Sequence, residues 1–321
     1  MYITSSASIR KDAILVYNKI ALIFILSGFI MSVYFIVNFG LAIQENTLEQ
    51  VLLERENGGL MSLPWGASNT IAACLMMAFY LALDRVFNVK SLKANSRIVM
   101  FFIMLVIITA IIITQSRNVI LTLLLGMIFI GVLTKNTKSM LVFFTMLVAI
   151  FFLVVVFYGQ DLENIFAARV GDGAEDVGGF NGRTTVWALS IDYFWKHPFE
   201  PVGYFGMLGY FDHTGHNVFI TTLIDQGIFG LAAYVLFVIN NFSFCLKKIF
   251  NKCLTSTTRI RMTFYLIAMF SILLQLQFED SNFTAPNITY KWIFLALMYL
   301  SPFCDISDKE RLTEEPQRQL N

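Results

Sequence analysis

The chain has 321 residues, of which 57% are hydrophobic and only 14% charged. Soluble domains carry about 25% charged residues. This chain therefore lacks the polar surface to cover a water-soluble fold and reads as an integral membrane protein. Its net charge of +1 points to no partner class, and no nucleic-acid partner is expected.

A spanning helix needs about 20 mostly apolar residues. About eight runs approach that length, near 20–43, 64–83, 98–115, 117–134, 140–158, 216–240, 262–278 and 286–301. They are continuous rather than alternating, which predicts helices and not barrel strands. The expected fold is all-α: a polytopic transmembrane helix bundle forming one integral membrane domain over residues 1–321. The first run follows a basic stretch with Arg10, Lys11 and Lys19, is too long for a signal-peptide core and lacks a clear cleavage site. With a cytoplasmic N-terminus, Lys and Arg divide 17 inside to 6 outside, which predicts that both termini are cytoplasmic. The four cysteines avoid the long outer segments, so no disulfide framework is expected.

Between the fifth and sixth runs lies the long extracytoplasmic loop, residues 159–215. It opens on VGDGAEDVGGFNGR, a turn-forming stretch. RTTVWALSIDYFWK, 183–196, then predicts a short amphipathic helix with Val186, Trp187, Ile191 and Phe194 on one face. His197-Pro198 ends it, because the residue before proline disfavours helix. Glycines follow at 203, 206 and 209 among aromatics. So apolar a loop is expected to lie on the outer membrane face, packed against the helix ends.

The outer cations are few. Arg117 stands at a tight outer turn in TQSRNVILTLLLG, Arg183 opens the amphipathic helix, Arg169 lies in the loop and Arg55 sits in an acidic segment. Taken singly, each has an ordinary reading: interfacial anchor, solvated charge or ion-pair partner. His213 and His216 precede the sixth run. His216 reads as a helix-start residue, as a general base or, with His213, as a metal ligand. The metal reading is the weakest, since zinc wants at least three protein ligands, and no metal or other cofactor is expected. Together, arginines grip phosphate in bidentate fashion and an imidazole can accept a hydroxyl proton. That combination predicts chemistry on a phosphate-bearing lipid at the outer surface, where a departing lipid pyrophosphate needs fixed cations.

In order along the chain, LPWGASNTIAACL (63–75), TQSRNVILTLLLG (114–126), NGRTTVWALSIDYFWKHPFEPVGYFG (181–206), HNVFITTLIDQGIFGLAAYV (216–235) and FEDSNFTAPNITYKWIFLAL (278–297) resemble the O-antigen polymerase and ligase family of bacterial membrane proteins. The resemblance covers roughly residues 50–300 and implies a metal-free glycosyl transfer from an undecaprenyl-pyrophosphate-linked glycan to an acceptor glycan or lipid at the bacterial inner membrane. Carried over, His216 activates the acceptor hydroxyl, and Arg117 and Arg183 hold the donor pyrophosphate. Arg169, Asn217, Trp187 and Asp225 complete the substrate-binding set, Asp225 by orienting a neighbour or pairing with an arginine. Membrane lipids, and a chain-length regulator or flippase, are the further partners implied. Members of that family usually have more spans, and the missing helices would precede Met1. A polymerase is the favoured expectation and a ligase the alternative. A transporter of lipid-linked sugars, from another class, is disfavoured because the ionisable groups gather at the outer mouth, no repeat is visible and no proline falls well inside a strong span.

Overall fold

The computed structural model describes residues 7–45, 68–88, 94–114, 116–134, 183–203, 206–211, 215, 217–276 and 287–304. The run at 140–158, the loop up to residue 182, His213, His216 and the 278–286 turn lie outside the described residues, as do Arg55 and Arg169. Among the described residues every regular element is helical: α1 (Ala7–Glu45), α2 (Ser68–Asn88), α3 (Ala94–Ile113), α4 (Arg117–Thr134), α5 (Arg183–Lys196), α6 (Gly206–Phe211), α7 (Val218–Ile249), α8 (Ser256–Gln275), α9 (Asn287–Leu300) and a closing 3-10 turn, Ser301–Cys304. Four segments are long and apolar enough to cross a bilayer: Ile14–Gln44, Ser96–Ile113, Val218–Ile249 and Ser256–Gln275. Val119–Ile130 and Tyr290–Leu300 are shorter apolar helices. The all-α polytopic architecture is as expected.

In α1, residues 17, 21, 24, 28, 32, 35 and 42 are buried, while Ile23, Ile30, Val37 and Leu41 are exposed. Both faces are apolar, as a bilayer permits: one meets protein and the other lipid. The helix starts well before residue 20, because the polar residues ahead of the apolar run can extend the same helix beyond the bilayer. α2 is the central helix, with every residue from Ile71 to Asp84 buried, and it packs against α1, α3, α4, α8 and α9.

Small polar groups set the register of the bundle. The Tyr80 hydroxyl is 3.1 Å from Ser271 Oγ, and Ser271 Oγ donates to the Thr122 carbonyl at 3.2 Å. Thr122 Oγ1 in turn meets Met76 Sδ at 3.5 Å. At one end of the bundle Arg261 Nε donates to Asp84 Oδ2 at 3.0 Å, and Arg85 Nη2 donates to the Asn18 carbonyl at 2.9 Å. These contacts make α2 antiparallel to α1 and α8, and parallel to α4. One end of the bundle, called inner here, therefore gathers residues 17–18, 84–85 and 261–265. The opposite, outer end gathers the starts of α2 and α4 and the finish of α8.

Candidate functional site

The outer end is organised by a break in α7. Gly227 has φ 71° and ψ −171°, a region essentially closed to side-chain-bearing residues. The sequence predicts an unbroken span over 216–240; instead α7 is two helices, meeting at this glycine and continuing to Ile249. The 22 residues after the break would make a helix of about 33 Å, enough for a bilayer core of about 30 Å. The piece from Val218 to Gln226 is thus left as a short outer helix rather than as the top of a span.

A positive φ at Gly227 takes preceding carbonyls out of the helical ladder, and buried carbonyls need donors. The outer loop supplies them. Val202 N donates to the Ile224 carbonyl at 3.0 Å and Gly203 N to the Asp225 carbonyl at 3.1 Å. Gly203 itself has φ 98°, which turns the chain into α6. There Met207 N donates to Asp225 Oδ1 at 2.8 Å. A small apolar cluster of Val186, Met207 and Ile224, flanked by Tyr193, Phe194, Val202, Phe211 and Ile220, seals α5 and α6 against the upper piece of α7. The amphipathic helix forms where the sequence predicts it, with one change. Val186 and Ser190 are buried and Trp187 and Phe194 half-buried, but Ile191 is 44% exposed; Ile191 turns away from the packed face, which Tyr193 joins instead. Beyond the helix, His197 N donates back to the Tyr193 carbonyl at 2.9 Å, and its Nδ1 lies 3.1 Å from Glu200 Oε2.

The chain around His216 is clamped on both sides. Trp187 Nε1 donates to the Gly215 carbonyl at 2.6 Å. Asn217 caps α7, its Oδ1 accepting from Phe219 N at 3.0 Å and Ile220 N at 3.2 Å. Val218 N donates to the Leu276 carbonyl at the end of α8, at 2.9 Å. The structure therefore uses Trp187, Asn217 and Asp225 first to build the site's frame.

Arg117 and Arg183 are described by their backbone. Arg183 is one turn before Trp187 on α5. Arg117 opens α4, five residues ahead of Thr122, while Leu276 is five residues beyond Ser271 on the antiparallel α8. Five residues are about 7.5 Å of helix, so the start of α4 reaches the level of Leu276 and hence of Val218. The backbones carrying Arg117, Arg183 and the residues flanking His216 thus share the outer end. Both arginines are first residues of their helices, and no acidic residue sits in either first turn. A cation beside the positive end of a helix dipole is locally unfavourable. A guanidinium at the positive end of a helix favours an anion beside it.

Two buried polar residues had no place in the sequence reading. Gln275 is wholly buried near the outer end of α8, and among the described residues nothing hydrogen-bonds its Oε1 or Nε2. Lys291, within the run at 286–301, is 6% exposed in α9 and lines a crevice of about 70 Å³ with Tyr234, Asn241 and Phe294. The signal for both was a polar residue inside an apolar run.

Residues 99–235 match the family model described as O-antigen ligase. Over that stretch the chain is similar to the O-antigen ligase family, and its long apolar helices make it a multi-pass membrane protein. The matched stretch runs from α3 to the lower piece of α7, so it includes Arg117, Arg183, His216 and the Gly227 break. No curated protein and no solved structure matches the chain.

Proposed function

We propose that the protein is a bacterial inner-membrane glycosyltransferase that polymerises undecaprenyl-pyrophosphate-linked oligosaccharides into a surface polysaccharide. An acceptor sugar hydroxyl attacks the anomeric carbon of the donor. The bond from that carbon to the pyrophosphate oxygen breaks as the new glycosidic bond forms. His216 takes the hydroxyl proton, and Arg117 and Arg183, with Arg169 from the loop, balance the charge on the departing lipid pyrophosphate. No metal enters this scheme. In each cycle the growing chain moves onto the newer lipid-linked unit.

The observation that carries this reading is the pair of arginine-headed helices at one end of the bundle, within the stretch matching the O-antigen ligase family. Such heads repel cations and favour a multivalent anion. A ligase that passes the glycan to a lipid core or protein is the second reading, and the description of the matching family favours it. Transport is less well supported. Transporters use broken helices to coordinate cargo near the midplane, whereas the carbonyls at the Gly227 break bond to amides of the chain's own loop.

Reconstitution with a lipid-pyrophosphate oligosaccharide tests the proposal. A ladder of products on a gel supports the polymerase, and a single shift of a non-glycan acceptor supports the ligase. Movement of the lipid-linked sugar across the bilayer without bond formation would replace both with transport.

A further inference from the structure

Asp225 is a carboxylate within an apolar helix, only 7% exposed. Such a group is costly in a membrane protein and is retained where it has partners and a task. The family resemblance implied that it orients a neighbour or pairs with an arginine. In the structure Oδ1 accepts the Met207 amide at the start of α6, and its own carbonyl accepts the Gly203 amide. One residue thereby receives the outer loop twice, through its side chain and its backbone, two positions before the Gly227 break. We infer that Asp225 is a positioning residue: it latches Gly203 and Met207 into the break of α7 and so holds α5, with Arg183 at its head, against Gly215 and the start of α7.

Three contacts link the latch to the site. Met207, fixed by Asp225, packs with Val186 of α5 and Ile224 of α7. Val186 neighbours Trp187, which holds the Gly215 carbonyl. Thr221 Oγ1 lies 3.7 Å from Met207 Sδ, on the turn of α7 below the Asn217 cap. Loss of the Asp225 acceptor leaves the Met207 amide buried without its partner and frees α6 to shift. A shift of about 1 Å in a group serving the reaction can cost on the order of 100-fold in rate. The bond to the Met207 amide requires an acceptor atom and not a negative charge. The consequence for glycan transfer rests on the function proposed above; the latch itself does not.

The test uses the full chain in membranes, with Met207→Cys and Thr221→Cys joined by a short bifunctional thiol reagent. Efficient crosslinking is expected in the parent. Asp225→Ala should lower the yield severalfold, and Asp225→Asn, which keeps an acceptor oxygen, should restore it. In the transfer assay Asp225→Ala should lower kcat about tenfold or more with little change in KM, again recovered by Asp225→Asn. Undiminished crosslinking in Asp225→Ala overturns the latch. Failure of Asp225→Asn in both assays overturns it in favour of a charge role, and a rise in KM alone makes Asp225 a substrate contact. If Asp225→Ala does not accumulate in the membrane, the crosslink in Asp225→Asn decides alone: present, the latch stands; lost, it falls. A parent that crosslinks but transfers no glycan sinks the proposed function and leaves the latch intact.

Discussion

The two ends of the bundle handle polar groups in opposite ways. At the inner end, charged side chains neutralise one another. Arg261 donates to Asp84, and its guanidinium lies 5.0 Å from the centre of the Tyr17 ring, whose hydroxyl meets that of Tyr265 at 3.1 Å. Three helices, α1, α2 and α8, are joined through long side chains that are almost wholly buried. At the outer end the joints are made largely by backbone. Loop amides meet helix carbonyls, a tryptophan holds Gly215, an asparagine caps α7, and the buried Asp225 carboxylate accepts a main-chain N–H. The inner arrangement pairs Arg261 with Asp84. The outer frame is built from amides, carbonyls and a carboxylate, and Arg117 and Arg183 head two of the helices gathered there. The proposed function makes the first a structural lock and the second a surface that meets an anion.

The largest effects should come from the outer end. Arg117→Ala, Arg183→Ala and His216→Ala should each insert normally and lower glycan transfer by about 100-fold or more, the range for loss of an acid–base group or an electrostatic stabiliser. Three variants that lengthen glycans at the parental rate would erase the distinction between the two ends. A pH profile sharpens it. An imidazole with an ordinary pKa near about 6.5 serves as a base only when neutral, so the rate should fall as pH drops from about 8 to about 5.5. A flat profile over that interval would remove a histidine base from the scheme.

The inner end should respond in stability instead. Asp84→Ala leaves the Arg261 guanidinium buried without its carboxylate, and breaking a buried pair from one side typically costs about 3–5 kcal/mol. Replacing both partners, Asp84→Leu with Arg261→Met, removes the charge altogether and should recover most of that loss. Thermal unfolding in detergent measures both. Transfer activity per folded molecule should stay near the parental level in the double variant. A deep loss of activity at unchanged stability would mean that the inner cluster takes part in the chemistry.

The contrast between the ends also explains what the sequence discloses. Charge asymmetry and apolar runs are properties of composition, so the membrane class and most helices were readable without coordinates. The amphipathic helix at Arg183–Lys196 was readable too, because proline stops it and its periodicity is local. The break in α7 was not. Gly227 follows Asp225-Gln226 in a stretch apolar enough to pass for a continuous span. What breaks the helix is a tertiary exchange of hydrogen bonds with Val202 and Gly203, more than twenty residues away. The inner pair escaped for a similar reason: Asp84 and Arg261 sit at ends of apolar runs, where a charge is ordinarily taken as facing water. Of the site, an orienting role for Asp225 was among the expectations. The hydrogen bonds by which Trp187, Asn217 and Asp225 make the frame were not readable, because a hydrogen bond to a distant carbonyl or amide leaves no periodic trace.

A moderate effect is expected at the break itself. The atoms nearest to where a β-carbon would stand at residue 227 belong to Pro201, at 3.6–3.8 Å, an ordinary contact distance. Space is therefore not the obstacle to Gly227→Ala; backbone conformation is. With φ 71° and ψ −171°, a side chain there costs about 1–3 kcal/mol. The variant should unfold at a lower temperature, and it should lose transfer activity beyond its loss of stability if α7 relieves the strain by straightening and expelling the 200–203 segment. Protease accessibility of the outer loop reports that expulsion directly. Unchanged stability would mean that the glycine conformation is not needed to hold the joint.

The smallest effect should have the opposite sign. Gln275 is an amide in the packed interior, one turn outward of Ser271 on α8, and among the described residues neither of its polar atoms has a hydrogen-bond partner. A buried polar group left unpaired costs about 1–3 kcal/mol, while methionine offers similar length and a flexible apolar chain. Gln275→Met should therefore raise stability by about 1 kcal/mol, read as an upward shift in the melting temperature. The outer end would then contain a site where removing a polar group strengthens the fold. A lower melting temperature would reverse that conclusion, because it would mean that the membrane-embedded protein satisfies the amide and that Gln275 is held as firmly as Asp84.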